Sequence, residues 1–486
     1  MSGTFTHDFK TPAFKGKVSI PTGLFIGGKF VDGKKGETWD VINPTNGKKI
    51  TSVASGTVED VDYAVKVAQK AFDETWGLKC PGNQRSKYLN KIADLMEEHL
   101  DEFCALEALN TGKPFSWAKK GDMDMALDTF RYYAGWADKI SGKVIETSED
   151  KLSYTRHEPI GVVAQIIAWN FPIMLLAWKV APALACGNVI ILKPSEFTPL
   201  TALLFAKLAN DAGVPPGVIN IINGTGPKIA FTGSTLTGRK IMQSAGKSNL
   251  KNVTLELGGK SPNIIMDDAD IDQAVDWTAH GVYWNMGQAC CAGTRIFVHE
   301  KVYDQFLKKF TEKTKKVRMG DPFGDVDIGA LVSNQQFERV LDYIDSGKKE
   351  GATVHLGGEA LKKDGFWVEP TIFTDVTPDM KIVQEEIFGP VGVIIKFKDD
   401  EDAIRQANDT TYGLAAAVFS KNVDRALQTA HRLNAGTAWV NCVNQLHAQV
   451  PFGGFKQSGI GRELGEYALE NYTAIKAVHV NFGHKI

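Results

Sequence analysis

Residues 159–195 read PIGVVAQIIAWNFPIMLLAWKVAPALACGNVIILKPS, and this stretch decides the fold. From Pro159 to Trp178 it carries no charge, which is about the length of a membrane span. Gln165, Asn170 and two prolines interrupt it, however, and its texture changes partway. GVVAQIIA reads as a buried strand, IMLLAWKVAPALACG as a buried helix, and NVIILKPS as a second strand. Strands that are apolar throughout are buried on both faces, as in a parallel sheet wrapped by helices.

The same pattern continues on either side. VINIING, KIAFTGS, NVTLELGG and NIIM follow, and beyond Cys291 come TRIFVH, VGVIIKF, LAAAVFS and TAWVNC, with helical segments between. The expectation is an α/β chain of two domains, with SYTRHE and the C-terminal TAIKAVHV as protruding strands. Before residue 140 the pattern reads mostly as helix. Val61, Val65, Ala68 and Phe72 share one face of an amphipathic helix that Thr57 and Asp60 cap. Further helical periodicity runs over 84–109 and 117–137.

The 486 residues suggest about three domains on size alone. Charge is nearly balanced, 55 Lys+Arg against 57 Asp+Glu, which argues against nucleic acid or an anionic membrane as partner. The N-terminal MSGTFTHDFKTPAFKGK has neither an apolar core nor an Arg, so neither a secretory nor a mitochondrial leader is expected. Six cysteines without a CxxC pair indicate no disulfide framework and no metal site, and a cytoplasmic location is the simplest expectation.

Several residues could carry chemistry. FTGSTLTG (Phe231–Gly238) is a strand, a glycine turn and a helix start, whose free N–H groups suit a pyrophosphate. Its spacing is not GxGxxG, and a plain strand–turn–helix fits equally well. Cys290 and Cys291 lie in GQACCAG, where a thiolate could act as a nucleophile, although buried small residues are the commoner meaning of such a pair. Glu256, alone in the apolar TLELGG, is either a general base or a paired structural acid. Asn170 is either an oxyanion donor or a buried structural amide.

Taken together, AWNFP, ILKPSEFTPL, FTGST, LELGGKSP, GQACCAGTR, EEIFGPV and PFGGFKQSG resemble the NAD(P)-dependent aldehyde dehydrogenases, in the family's order and over nearly the whole chain. The resemblance is closest to the cytosolic-type enzymes acting on simple aliphatic or retinoid aldehydes. It implies two Rossmann-like three-layer α/β/α domains with a small β oligomerisation arm. The NAD-binding domain would comprise 1–137 and 159–258, the catalytic domain 259–457, and the arm 138–158 with 472–486.

The resemblance also implies roles. Cys290 would be the nucleophile, Glu256 the general base and Asn170 an oxyanion donor. Lys193 and Glu196 would hold the adenosine ribose, the acid disfavouring a 2′-phosphate, so NAD is expected over NADP. Gly233 and Ser234 would meet the pyrophosphate, and Glu386 and Phe388 would place the nicotinamide ribose and ring. Ile166, Trp169, Thr235, Leu236, Thr237, Gly238 and Gln336 complete the implied NAD contacts. Met125, Phe171, Trp178, Leu446 and Phe452 would line an apolar channel, which favours a small aliphatic or aromatic aldehyde as substrate. A homo-oligomer, dimer or tetramer, is implied, with no metal.

One departure stands out. VINIINGTGP runs almost directly into KIAFTGS, where the family has a helix of about a dozen residues joining parallel strands. The expectation is a displaced strand Val218–Ile222, an altered pairing of its neighbour, or an unusual variant of the fold, with impaired NAD binding. The competing expectation for function is therefore a cofactor-deficient relative, acting as a binding protein or a cofactor-free thiol esterase.

Overall fold

The uncharged stretch does split into a strand and a helix. Val162–Ile166 is a strand, and the chain turns at Trp169–Phe171 into the helix Pro172–Ala185, with proline at its first position. Val189–Lys193 then returns parallel to the first strand. The computed structural model describes residues 3–224 and 231–483. Among these, no helix is long and apolar enough to cross a membrane.

Two sheets organise the chain, each flanked by helices in Rossmann-like fashion. The first has five parallel strands in the order Leu255–Glu256, Phe231–Thr232, Val162–Ile166, Val189–Lys193 and Ile219–Ile221. Antiparallel strands close its edges, Gly459–Ile460 on one side and the hairpin Leu24–Ile26 with Lys29–Val31 on the other. The second sheet runs Thr353–Leu356, Thr371–Thr374, Val391–Phe397, Arg295–His299, Pro262–Ile265, Ala415–Phe419 and Thr437–Val440, parallel except for the first strand. Val144–Ser148, Lys151–Pro159 and Thr473–Asn481 form a separate antiparallel sheet that contains both segments expected to protrude.

Three expectations need correction. The first 54 residues are not mainly helical: Thr4–Lys10 pairs with Lys15–Pro21, and Thr38–Ile42 with Lys49–Ala54. These strands are rich in Lys and Thr and mostly exposed or half-buried, so they carry little apolar alternation to signal them. The helix Val58–Glu74 does have its Thr57–Asp60 capping box, but it buries Asp60, Ala64, Ala68 and Ala71. Val61 and Val65 are 40% and 41% exposed instead, because alanines allow a closer approach to the sheet than valines.

The third correction concerns the short connection. Ile219–Ile221 lies in place, parallel to its neighbour, and Phe231–Thr232 is also parallel within the same sheet. The two strands are not adjacent, since Val189–Lys193 and Val162–Ile166 lie between them. Crossing three strand spacings requires about 14 Å. The second strand starts only at Phe231, which leaves residues 223–230 for the crossing, with an extended reach of about 28 Å. Such a link has no length for a dozen-residue helix. Residues 225–230, including the Pro227–Lys228 junction itself, lie outside the described residues.

Candidate active site

In parallel α/β sheets, ligands gather beyond the carboxyl ends of the strands. Here the strand ending at Ile166 leads to Trp169 and Asn170, that ending at Thr232 leads to Gly233 and Ser234, and Glu256 ends its own strand. Cys290 comes from the loop between the helix Ile271–Tyr283 and the strand Arg295–His299. These chain segments meet at one cavity of about 200 Å³. Its lining brings together Trp169, Asn170, Gly233, Ser234, Glu256, Cys290, Gln336, Glu386 and Phe388 from the sequence-based set.

Glu256 is 3% exposed and lines the cavity together with Cys290. Burial pushes its carboxyl up to about 8, against the opposing pull of the Cys290 thiol and the Lys179 charge. Its Oε1 has no hydrogen-bond partner. The Cys290 thiol is raised well above its ordinary value by a hydrogen bond with Cys291, by burial and by the Glu256 charge. Cys291 is itself directed to Asn444, with its Sγ donating to Oδ1 at 3.3 Å. Gly259 is required beside the nucleophile: a Cβ there would lie 2.4 Å from the Cys290 carbonyl oxygen.

Asn170 is 4% exposed, and its Nδ2 donates to the Gln288 carbonyl at 3.1 Å. Across the cavity, the Gly259 N–H donates to Glu386 Oε1 at 2.9 Å, and burial pushes the Glu386 carboxyl up to about 7. Phe388 stands edge-on to Trp169 at 5.2 Å, with its backbone at φ 60°. Gln336 donates from Nε2 to the Phe388 carbonyl at 2.7 Å, so its amide braces that left-handed turn as well as lining the cavity.

The remaining expected residues are not part of the lining of this cavity. Lys193 Nζ is 3.5 Å from Glu196 Oε2 at the end of the neighbouring strand. Thr235, Leu236, Thr237 and Gly238 form the first turn of the helix Thr235–Lys247, which Ser234 caps by accepting from the Thr237 N–H at 3.3 Å. Ile166 is buried at its strand end, paired with Phe231. Among the residues expected to line a channel, Trp178 meets Phe452 edge-to-face at 5.5 Å, while Met125 is buried and Leu446 half-buried. Phe171 packs on Trp284 at 4.8 Å, a neighbour that the sequence patterns did not single out. Arg339 was missed too; it lines the cavity and donates to the Glu386 carbonyl at 3.1 Å.

A buried carboxyl, a thiol and an amide lining one cavity suit acyl chemistry on a carbonyl. Comparison with known proteins agrees. The model of the aldehyde dehydrogenase family matches residues 30–478. An aldehyde dehydrogenase of Agaricus bisporus is 60% identical over 500 aligned positions, covering 100% of both chains, and aldehyde dehydrogenase 1A1 of Gallus gallus is 48% identical, covering 96% of this chain and 94% of its own. The NAD+ complex of an aldehyde dehydrogenase from Bacillus cereus has a TM-score of 0.93 at 47% identity, covering 95% of this chain and 97% of that one. A match of this extent, in sequence and in fold, leaves one assignment: the chain belongs to the aldehyde dehydrogenase family.

Proposed function

We propose that the protein oxidises a small apolar aldehyde to its carboxylic acid with NAD, using Cys290 as nucleophile, Glu256 as general base and Asn170 as oxyanion donor. The observation that carries this is the convergence of Glu256, Cys290 and Asn170 on the lining of one cavity.

The residues around the cavity suit the cofactor. Half-buried Lys193 and Glu196, 3.5 Å apart, offer a donor and an acceptor to a ribose diol. The helix N-terminus at Ser234 suits a pyrophosphate. Glu386 would take the second ribose, with Phe388 and Trp169 against the ring. A Cβ at Gly258 would reach within 2.3 Å of the Glu386 carboxyl, so glycine keeps that acid in place. When bound, NAD supplies the hydride acceptor.

The chain's own residues do the rest. Cys290 gives up its thiol proton to solvent, its Sγ adds to the aldehyde carbon, and Asn170 Nδ2 stabilises the developing alkoxide. Loss of hydride leaves a thioester on Cys290. Glu256 then takes a proton from water, whose oxygen attacks the thioester and frees the acid and the thiol. The channel pairs Trp178–Phe452 and Phe171–Trp284 are apolar and aromatic, which supports aliphatic or aromatic aldehydes over substrates with a second carboxylate.

The alternative of a cofactor-free binding protein or esterase is weaker, because the nicotinamide-side groups are all present at the cavity. NADH formation by folded protein, with acetaldehyde and benzaldehyde over an NAD titration, tests the proposal. Silence with every aldehyde at saturating NAD would refute it.

A further inference from the structure

Asn170 is held from behind as well as presented to the cavity. Its main-chain carbonyl accepts from Lys113 Nζ at 2.8 Å and from Asn285 Nδ2 at 2.9 Å. The same Asn285 nitrogen donates to the Gln288 carbonyl at 3.1 Å, the oxygen that also receives the Asn170 side chain at 3.1 Å. One amide therefore ties Asn170 to the loop two residues ahead of Cys290. Gln288 is fixed in turn, its Oε1 accepting from the Val332 N–H at 3.1 Å. Lys113, Asn170 and Asn285 are 1%, 4% and 3% exposed, so water does not compete for these bonds.

The backbone at Asn285 shows that this arrangement has a cost. Asn285, Met286 and Gly287 are consecutive left-handed residues, with φ of 50°, 57° and 69°. Such conformations are unfavourable for residues with a Cβ and persist where the surroundings impose them. Asparagine tolerates the region better than most residues, and its amide brings two donors. Only the donor end is used here, since Asn285 Oδ1 has no partner.

We propose that Asn285 is a positioning residue for the oxyanion site. With Lys113 behind it, Asn285 sets the separation between the Asn170 amide and the nucleophile loop, so that the Asn170 hydrogen not bonded to Gln288 meets the alkoxide formed at Cys290. This rests on Asn170 being the oxyanion donor. Removing the Asn285 amide strips one bond from each of two carbonyls, and each keeps another: Asn170 O retains Lys113, and Gln288 O retains Asn170. The fold therefore survives the change while the alignment loosens.

The test is a double-mutant cycle with Asn170→Ala, read as aldehyde oxidation at saturating NAD and as p-nitrophenyl acetate hydrolysis without cofactor. Asn285→Gly keeps the left-handed turn and deletes the amide. Direct loss of an oxyanion donor lowers kcat by about 10²–10³-fold, so a displaced donor should lower it by about 10–50-fold in both assays. KM for NAD stays within about twofold. In the Asn170→Ala background the same change should lower kcat by no more than about twofold, because its effect passes through Asn170. Full kcat in Asn285→Gly, or an equal loss in both backgrounds, would overturn the proposal. Should the glycine variant fail to fold, Asn285→Asp, of equal size but with the donors gone, decides by the same criteria. Normal turnover in Asn170→Ala alone would sink the oxyanion reading and this proposal with it, leaving Cys290 and Glu256 untouched.

Discussion

Glu256 and Cys290 line the same cavity, and the Glu256 charge pushes the Cys290 thiol toward keeping its proton. A carboxylate beside a thiol disfavours the thiolate, which adds to what Cys291 and burial already do. Glu256→Gln keeps the shape and removes the charge. The midpoint of iodoacetamide alkylation against pH should therefore move to lower pH, while aldehyde turnover falls by about 10²–10⁴-fold for want of a base. A midpoint moving up would mean that Glu256 promotes thiol ionisation instead.

Wild-type turnover should also rise with pH. The Glu256 carboxyl is raised to about 8, so it is largely protonated, and useless as a base, below that value. If hydrolysis of the thioester limits turnover, kcat climbs through about pH 8 and levels above it. A flat kcat between pH 6 and 9, about a thousandfold range of proton activity, would place another step in control.

The adenosine end of the cofactor should be held weakly. Val162 and Ala164, on one face of the central strand, are only half-buried where a parallel sheet is normally covered, and Leu236 is 64% exposed on the helix next to Gly233. Residues 223–230 leave no room for the crossover helix that the family resemblance implies over this region. KM for NAD should rise by about 10–100-fold over a full-length relative with kcat kept, an amount worth about 1–3 kcal/mol of lost contact. The preference for NAD over nicotinamide mononucleotide should shrink in step. An ordinary KM in an NAD titration would show that the adenosine is gripped by other means.

Arg295 shows what sequence patterns leave hidden. It appears in TRIFVH only as the charged start of a strand, yet it is 1% exposed and donates to the carbonyls of Lys260, Gln406, Ala407 and Asp409. Lysine cannot span that set with one ammonium. Arg295→Lys should destabilise by about 2–4 kcal/mol, seen as a lower Tm, without altering KM for aldehyde. An unchanged Tm would show that the carbonyls find other donors.

The strands of both parallel sheets were legible because burial on two faces writes itself as short runs of Val and Ile, as in VVAQI and VIILK. The exposed N-terminal hairpins write no such run. Cys290, Glu256 and Asn170 each had an equally good structural meaning alone, and only the joint order of motifs separated the two. The clamp of Lys113 and Asn285 on Asn170 left no signal at all, since bonds from side chains to carbonyls across 57 and 115 residues have no period. Residues 218–231 misled for a topological reason: length rules for adjacent parallel strands do not govern a link between strands three places apart.

The separate sheet of Val144–Ser148, Lys151–Pro159 and Thr473–Asn481 leads to the last prediction. Three antiparallel strands with open edges are a poor endpoint, because unpaired N–H and C=O groups invite another strand. The apolar side chains upon it are also uncovered: Val144 is 78% exposed, Ile145 47% and Ile475 68%. Burying three such residues in an interface is worth several kcal/mol, at about 1.5–3 each. The protein should therefore sediment as a dimer or tetramer. Val144→Lys with Ile475→Lys should shift it toward monomer while leaving the Cys290 site intact, so alkylation of that thiol is unchanged. A wild-type protein that runs as a monomer at micromolar concentration would remove the role of this sheet in assembly.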